Sequence, residues 1–214
     1  MSKLTIALSK GRLAKDAINL MQECGMDMSY VDMKSRKLIF EDAEGKVSVI
    51  LVKPTDVPTY VERGVADIGV VGKDTLMEQD ANIYEMHDLG FGKCKLALAG
   101  YEGALDNKNG DFVLRIATKY PNIIRDIYEI RGRHVDIIKL NGSVELGPIV
   151  ALSDVIFDIV ESGSTLRENG LSVLEEICDI SARLIVNKVS LKVKREEIVP
   201  LVDAMKSQLE KSND

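Results

Sequence analysis

The residues best suited to chemistry form one run, Asp158-Ile159-Val160-Glu161-Ser162-Gly163-Ser164-Thr165-Leu166. An apolar stretch, Val155-Ile156-Phe157, precedes it and reads as a buried strand. Arg167 to Leu171 follows and reads as a short helical turn or loop. A strand that stops at Ser-Gly-Ser-Thr exposes several backbone N–H groups at once. Gly163 lets the backbone turn tightly and approach a ligand, and Ser162, Ser164 and Thr165 add hydroxyl donors. Such a turn is a cradle for a phosphate group. Asp158 and Glu161 sit beside it. Carboxylates do not bind phosphate, but they hold sugar hydroxyls or a phosphate-bound metal ion. The combination points to a sugar phosphate more than to a bare anion. Ser-Gly-Ser-Thr is also a common turn and helix-cap composition, and that plainer reading stands beside the first.

The elements that must position this run alternate along the chain. Leu4 to Leu8 reads as a strand, which Ser9-Lys10-Gly11-Arg12 breaks. Leu13, Ala17, Leu20, Met21 and Cys24 then recur at helical spacing, with Gly25 as the C-cap. Lys37 to Phe40 and Lys46 to Val52 read as two strands around Glu44-Gly45, a hairpin signal. Thr55-Asp56-Val57-Pro58 starts a helix that Gly64 ends. Ala66 to Gly72 is a buried strand, and Lys73-Asp74-Thr75-Leu76 begins the next helix.

Further on, Lys95–Ala99, Val113–Thr118, Val135–Leu140 and Val155–Ile159 read as strands, with a polar surface loop at Asp106–Asp111. Pro121–Ile130 and Gly142–Leu152 read as helices. Ala182–Val193 reads as one or two strands, and Arg195–Leu209 as an amphipathic terminal helix. The alternation defines an α/β protein with buried strands. It fits one doubly wound sheet or two lobes. Two lobes would require the chain to cross near residues 90–96 and 180–187.

Composition narrows the class. A chain of 214 residues with 45% hydrophobic side chains is globular, with room for one large domain or two small lobes. A net charge of −6 argues against a dedicated nucleic-acid binder, though local basic residues still serve phosphate ligands. Cys24, Cys94 and Cys178 are far apart and show no zinc spacing or disulfide framework, which fits a reducing cytoplasm. The N-terminus does not read as a signal peptide, and no segment approaches a membrane span. His87 and His134 sit in unrelated contexts, so neither a His-based triad nor a protein metal site is expected.

Several landmarks occur together and in order. They are Ala7 to Arg12, Ser35-Arg36-Lys37-Leu38, Thr55 to Val61, Ala66-Asp67-Ile68-Gly69, Gly72-Lys73-Asp74, Ala117 to Asn122, and Asp158 to Leu166. With these the chain resembles the short form of the ATP phosphoribosyltransferase family, from Leu4 to about Leu201. One departure is Ala151, where the family signature usually has Gly.

The resemblance implies two lobes like a type II periplasmic binding protein, with the active site in the cleft between them. Lobe I would hold residues 1–92 and 182–214, and lobe II residues 93–181. The implied reaction joins N1 of the ATP adenine to C1 of phosphoribosyl pyrophosphate and releases pyrophosphate. Magnesium would be bound mainly through the substrate pyrophosphate. A ring nitrogen with a free lone pair attacks, and the leaving group needs no proton, so positioning and charge stabilisation should suffice.

The resemblance also assigns roles. The backbone and hydroxyls of Glu161, Ser162, Gly163, Ser164 and Thr165, with Leu166 closing the motif, would hold the donor's 5-phosphate, and Asp158 the ribose hydroxyls. Arg12 and Arg36 would face the departing pyrophosphate, a role that suits a planar, permanently charged guanidinium. Lys10 would add charge in the same turn, and Lys10 and Gly11, with Asp74, Thr75 and Tyr120, would line the nucleotide site. Without the resemblance, Arg12, Arg36, Asp74 and Tyr120 read as ordinary surface, helix-start and packing residues. The absence of an added C-terminal histidine-binding domain implies a separate regulatory subunit similar to the core of histidyl-tRNA synthetase. The two would form a hetero-octamer, and the chain alone a homodimer. The alternative function is a cytoplasmic sensor: Val61 to Val70 resembles a segment of solute-binding proteins.

Overall fold

The computed structural model describes residues 3–106 and 113–213, with the side chains of the last two described residues excepted. The polar loop expected at Asp106–Asp111 therefore lies, from residue 107 on, outside the described residues. The chain divides into two compact units, Met1–Gly92 with Ser181–Asp214, and Lys93–Ile180.

In chain order the first unit holds β1 (Leu4–Ser9), α1 (Arg12–Glu23), β2 (Ile39–Glu41), β3 (Val47–Val52), a 3-10 turn at Pro54–Asp56, α2 (Val57–Glu62), β4 (Ile68–Gly72), α3 (Lys73–Gln79) and β5 (Tyr84–Asp88). The second unit holds β6 (Cys94–Gly100), β7 (Leu114–Thr118), α4 (Pro121–Ile130), β8 (Val135–Lys139), α5 (Leu146–Ile149), β9 (Val155–Val160), α6 (Ser164–Glu168) and β10 (Ser172–Ile180). The chain then returns to the first unit with β11 (Ala182–Val186), α7 (Ser190–Val193) and α8 (Arg195–Asn213).

Each unit has its own mixed sheet. The first is ordered β2-β3-β1-β4-β11-β5, with β3, β1 and β4 parallel and β11 antiparallel to both neighbours. Its strands are apolar on both faces. Ile6 and Leu8 pack with Met21 and Met205 on one side, while Ala7 packs with Val57, Val61 and Ile185 on the other. The second sheet is ordered β10-β6-β9-β7-β8, with β9, β7 and β8 parallel. Leu96, Leu98 and Phe157 pack with Ile123 and Ile124 of α4 on one face. Ala99, Ala117 and Ile156 pack with Leu166 of α6 on the other.

Several segments depart from the expectation from sequence, strand β5 among them, which the sequence reading did not assign. Gly142–Leu152 forms a single helical turn, α5, rather than a long helix. Gly147 approaches Ser153 and Ala117 too closely to carry a side chain, since a Cβ there would lie 2.5 Å from Ser153 Oγ and 3.0 Å from Ala117 Cβ. Left-handed backbone at Ser143 (φ 47) and Ala151 (φ 56) bounds the turn on both sides. Strand β10 had no counterpart in the pattern, because two register shifts break its period-two alternation. Beyond Val186 the expected strand becomes α7, because Asn187 Oδ1 accepts the N–H groups of Val189 and Ser190 at 2.9 and 2.8 Å and caps that turn.

Ala151 is exposed and sits in a conformation that costs an L-residue about 1–2 kcal/mol. Glycine removes most of that strain but loses about 0.5–1 kcal/mol of backbone entropy. Ala151→Gly is therefore expected to stabilise the protein by up to ~1 kcal/mol, read as a higher urea midpoint at unchanged slope. Nearby, Arg115 grips Asp154 with its backbone N–H (2.9 Å) and its guanidinium (2.6 Å), and donates to Ala151 O at 3.1 Å. Burial pushes the Asp154 carboxyl up, but the hydrogen bonds and charge of Arg115 outweigh it and hold the group below its ordinary range. This clasp fixes the entry to β9, the strand that leads into the serine-rich turn.

Asp67, 3% exposed, is a buried carboxylate with three hydrogen-bond partners among the described residues. It accepts from Ser190 Oγ (2.6 Å), Thr5 N (2.8 Å) and Lys194 Nζ (2.7 Å), tying β1 and β4 to the segment before α8. Removing one partner of a buried pair typically costs about 3–5 kcal/mol. Asp67→Ala should reach the lower end, because the Lys194 side chain keeps 17% exposure and recovers some solvation. Equilibrium denaturation of the first unit checks this, with a loss below ~1 kcal/mol counting against the assignment.

Candidate active site

Strand β9 delivers the Asp158–Leu166 run, and the strand ends at Val160 because Gly163 adopts φ 68, ψ 10. That left-handed residue reverses the chain into α6, whose first turn leaves N–H groups without helical acceptors. Ser162 and Ser164 hydroxyls stand 3.1 Å apart, and Arg167 Nη1 donates to Ser162 O at 2.9 Å, bracing the turn from its far side. Leu166 points inward to the core with 5% exposure, while Ser162, Ser164 and Thr165 stay exposed.

The turn borders a cavity of about 310 Å³ in the second unit. Its lining is Ala97 and Ala99 of β6, Glu145, Ile156, and every residue from Asp158 to Leu166. A carboxylate at one end and a turn of N–H and hydroxyl donors at the other suit a small polyol phosphate. Glu145 is a lining residue that the sequence reading passed over. Nothing in its local pattern marks it, since it lies in the segment read as helix.

Tyr120, the remaining candidate in this unit, precedes α4. Its N–H donates to Thr118 Oγ1 at 2.8 Å, and its ring meets Phe157 edge-on with centroids 6.3 Å apart. It is half-buried and does not line the cavity.

The first unit gathers most of the other candidates. Lys10, Gly11 and Arg12 occupy the turn from β1 to α1, with Gly11 at φ 137, ψ −162. Lys10 Nζ donates to Ser35 O at 2.8 Å, which brings the Arg36 segment alongside that turn. Arg12 and Arg36 are both exposed. Arg12 begins α1, where the helix dipole disfavours a cation and the first turn carries no acidic residue. Asp74 and Thr75 lie in the first turn of α3, Thr75 Oγ1 donating to Asp74 Oδ2 at 3.3 Å. A Cβ at Gly72 would lie 2.2 Å from Asp74 Oδ1, so this glycine gives the carboxylate its room.

Two mixed sheets, each with buried strands crossed by helices, define a two-lobed α/β protein of the periplasmic-binding-protein type. The family model described as HisG: ATP phosphoribosyltransferase matches residues 53–207. Curated proteins named ATP phosphoribosyltransferase from Clostridium kluyveri and Ruminiclostridium cellulolyticum are each 52% identical to the chain. The matches cover 97% of this chain and 94% of the first relative, and 98% of each chain for the second. The chain belongs to the ATP phosphoribosyltransferase family, and it is a phosphoribosyltransferase of histidine biosynthesis.

Solved structures agree. A chain of the ATP phosphoribosyl transferase (HisG:HisZ) complex from Thermotoga maritima matches with TM-score 0.82 and 36% identity, over 97% of this chain and 99% of that one. The histidine-, lysine- and arginine-binding protein ArtJ from Geobacillus stearothermophilus matches with TM-score 0.59 at 12% identity, over 99% and 91%. The latter is a likeness of fold alone. Among the described residues no helix is long and apolar enough to cross a membrane.

Proposed function

We propose that the chain transfers the phosphoribosyl group of phosphoribosyl pyrophosphate to N1 of ATP, giving N1-(5-phosphoribosyl)-ATP and pyrophosphate. The observation that carries this reading is the cavity in which Asp158 and the 161–165 turn face one space. The turn holds the donor's 5-phosphate through backbone N–H groups and the hydroxyls of Ser162, Ser164 and Thr165. Asp158 takes the ribose hydroxyls, and Glu145 is placed to share them. Arg12 and Arg36, with Lys10, receive the charge that builds on the departing pyrophosphate. Asp74, Thr75 and Tyr120 are assigned to the adenine nucleotide.

N1 of adenine attacks C1 of the ribose with its own lone pair, and pyrophosphate departs unprotonated. The protein's work is then to align the two centres and to offer positive charge where negative charge develops.

The donor set suits magnesium held chiefly by substrate. Asp158 and Glu161 supply hard oxygens beside the phosphate turn. Magnesium commonly takes one or two carboxylates plus substrate phosphates. Bound there, it would neutralise pyrophosphate charge.

The regulatory subunit similar to histidyl-tRNA synthetase remains the proposed partner, in a hetero-octamer, with a homodimer in its absence. The solved relative from Thermotoga maritima, a HisG:HisZ complex, supports the pairing. We place the enzyme in the cytoplasm with its soluble substrates.

The test is product formation by the purified chain from ATP, phosphoribosyl pyrophosphate and magnesium, with pyrophosphatase present, read by mass spectrometry. The phosphoribosyl-ATP mass is expected, lost when magnesium is chelated. Absence of both product and donor binding would overturn the reading in favour of a sensor.

A further inference from the structure

The floor of the cavity is made by β6, and its composition bears on what the cavity admits. Strand β6 alternates Cys94-Lys95-Leu96-Ala97-Leu98-Ala99. Leu96 and Leu98 enter the apolar cluster under α4, so Ala97 and Ala99 face the opposite side of the sheet. That is the side of the cavity. Strand β9 pairs antiparallel with β6 in a register that sets Ala97 opposite Asp158 and Ala99 opposite Ile156. Directly opposed residues carry their Cβ atoms roughly 4.5–5.5 Å apart.

The two alanines are not equivalent. Ala99 is core, packed with Ile156 and Leu166 under α6. Ala97 is 1% exposed, yet it belongs to neither apolar cluster of this unit among the described residues. Ala97 lines the cavity floor between Asp158 of β9 and Glu176 of β10, next to the carboxylate that the donor's sugar would meet. Any longer side chain at 97 would extend over the sheet into the space beside Asp158. The phosphate turn lies beyond the end of β9 and does not depend on that space.

We propose that Ala97 is a specificity-determining residue of the donor site: the lack of side-chain atoms beyond Cβ opposite Asp158 leaves the room that a ribose ring occupies. The cavity then takes a ribosyl phosphate, where a larger residue would leave only an anion site. This rests on the reading of the cavity as the donor site.

The experiment separates sugar from phosphate. Wild type and Ala97→Val are titrated with ribose 5-phosphate and, separately, with inorganic phosphate, following the amide signal of Gly163 by NMR. Valine adds two methyl groups, and overpacking of this kind is expected to weaken ribose 5-phosphate binding about 10- to 100-fold. Phosphate binding should change less than about threefold, well under one tenfold step. A thermal melt checks the fold, and Ala97→Cys, one sulfur larger than alanine, carries the same comparison if the valine variant does not fold.

Unchanged ribose 5-phosphate affinity in a folded variant overturns the proposal. Equal loss of both ligands overturns it too, because the residue would then act on the turn. Failure of the wild type to bind either ligand instead overturns the donor-site reading beneath it.

Discussion

Gly163→Val is expected to lower the affinity for phosphoribosyl pyrophosphate at least about 100-fold in a chain that remains folded. The backbone at Gly163 lies at φ 68, ψ 10, where an L-residue pays about 1–2 kcal/mol and a β-branched one is a genuine outlier. A Cβ would also stand 3.2 Å from Arg167 Nη1, the group that braces the turn through Ser162 O. Valine therefore strains the reversal and displaces its brace together. The N–H and hydroxyl donors of residues 162–165 then no longer converge. Losing two hydrogen bonds to a charged phosphate, at about 1.5–3 kcal/mol each, accounts for the expected loss. The fold should survive because Gly163 lies outside the core, with Leu166 holding the following turn in place. Calorimetric titration with the donor, beside a thermal melt, gives the answer. Donor affinity near wild type in a folded Gly163→Val protein would remove the phosphate cradle, and Gly163→Ala should fall between.

The parts of this molecule that could be read from sequence are those where a local signal agrees with tertiary demand. Pro121 starts α4 and the apolar spacing to Ile130 carries it, so pattern and helix coincide. The same holds for β1 and for the break at Lys10-Gly11, where strand apolarity stops at a residue that only glycine fits comfortably. Strand β10 was hidden because its bulges desynchronise the alternation and it carries Glu175, Glu176 and Asp179. Strand β5, Tyr84–Asp88, was hidden as a polar edge strand with no fully buried residue.

The site divides in the same way. Asp158 to Leu166 is contiguous and announces its own geometry. Glu145 and Ala97 reach the same cavity from other elements, and an alanine within an apolar strand has no signal of its own. The approach of the Arg36 segment to the β1–α1 turn includes a bond from Lys10 to Ser35, across 25 positions, which no local pattern announces.

Arg12→Ala is expected to give the second large effect. Turnover is expected to fall about 100- to 1,000-fold, in line with loss of one preorganised donor to developing charge. ATP affinity should change less than about threefold. The split follows from where charge appears: the bond from C1 to pyrophosphate oxygen breaks on the way to the transition state, so a guanidinium aimed at that oxygen binds more tightly there than in the ground state. Nothing comparable happens at the adenine nucleotide before bond formation.

A purely structural Arg12 predicts something different. It begins α1, at the end of the helix where the dipole disfavours a cation. A thermal melt of the ligand-free Arg12→Ala protein beside the assay separates that role from a part in the reaction. Arg12→Lys should recover only part of the turnover, because an ammonium keeps the charge but not the two-pronged geometry. Equal losses in turnover and ATP affinity, or a melting temperature that falls with activity, would assign Arg12 to the nucleotide or to the helix and not to the leaving group.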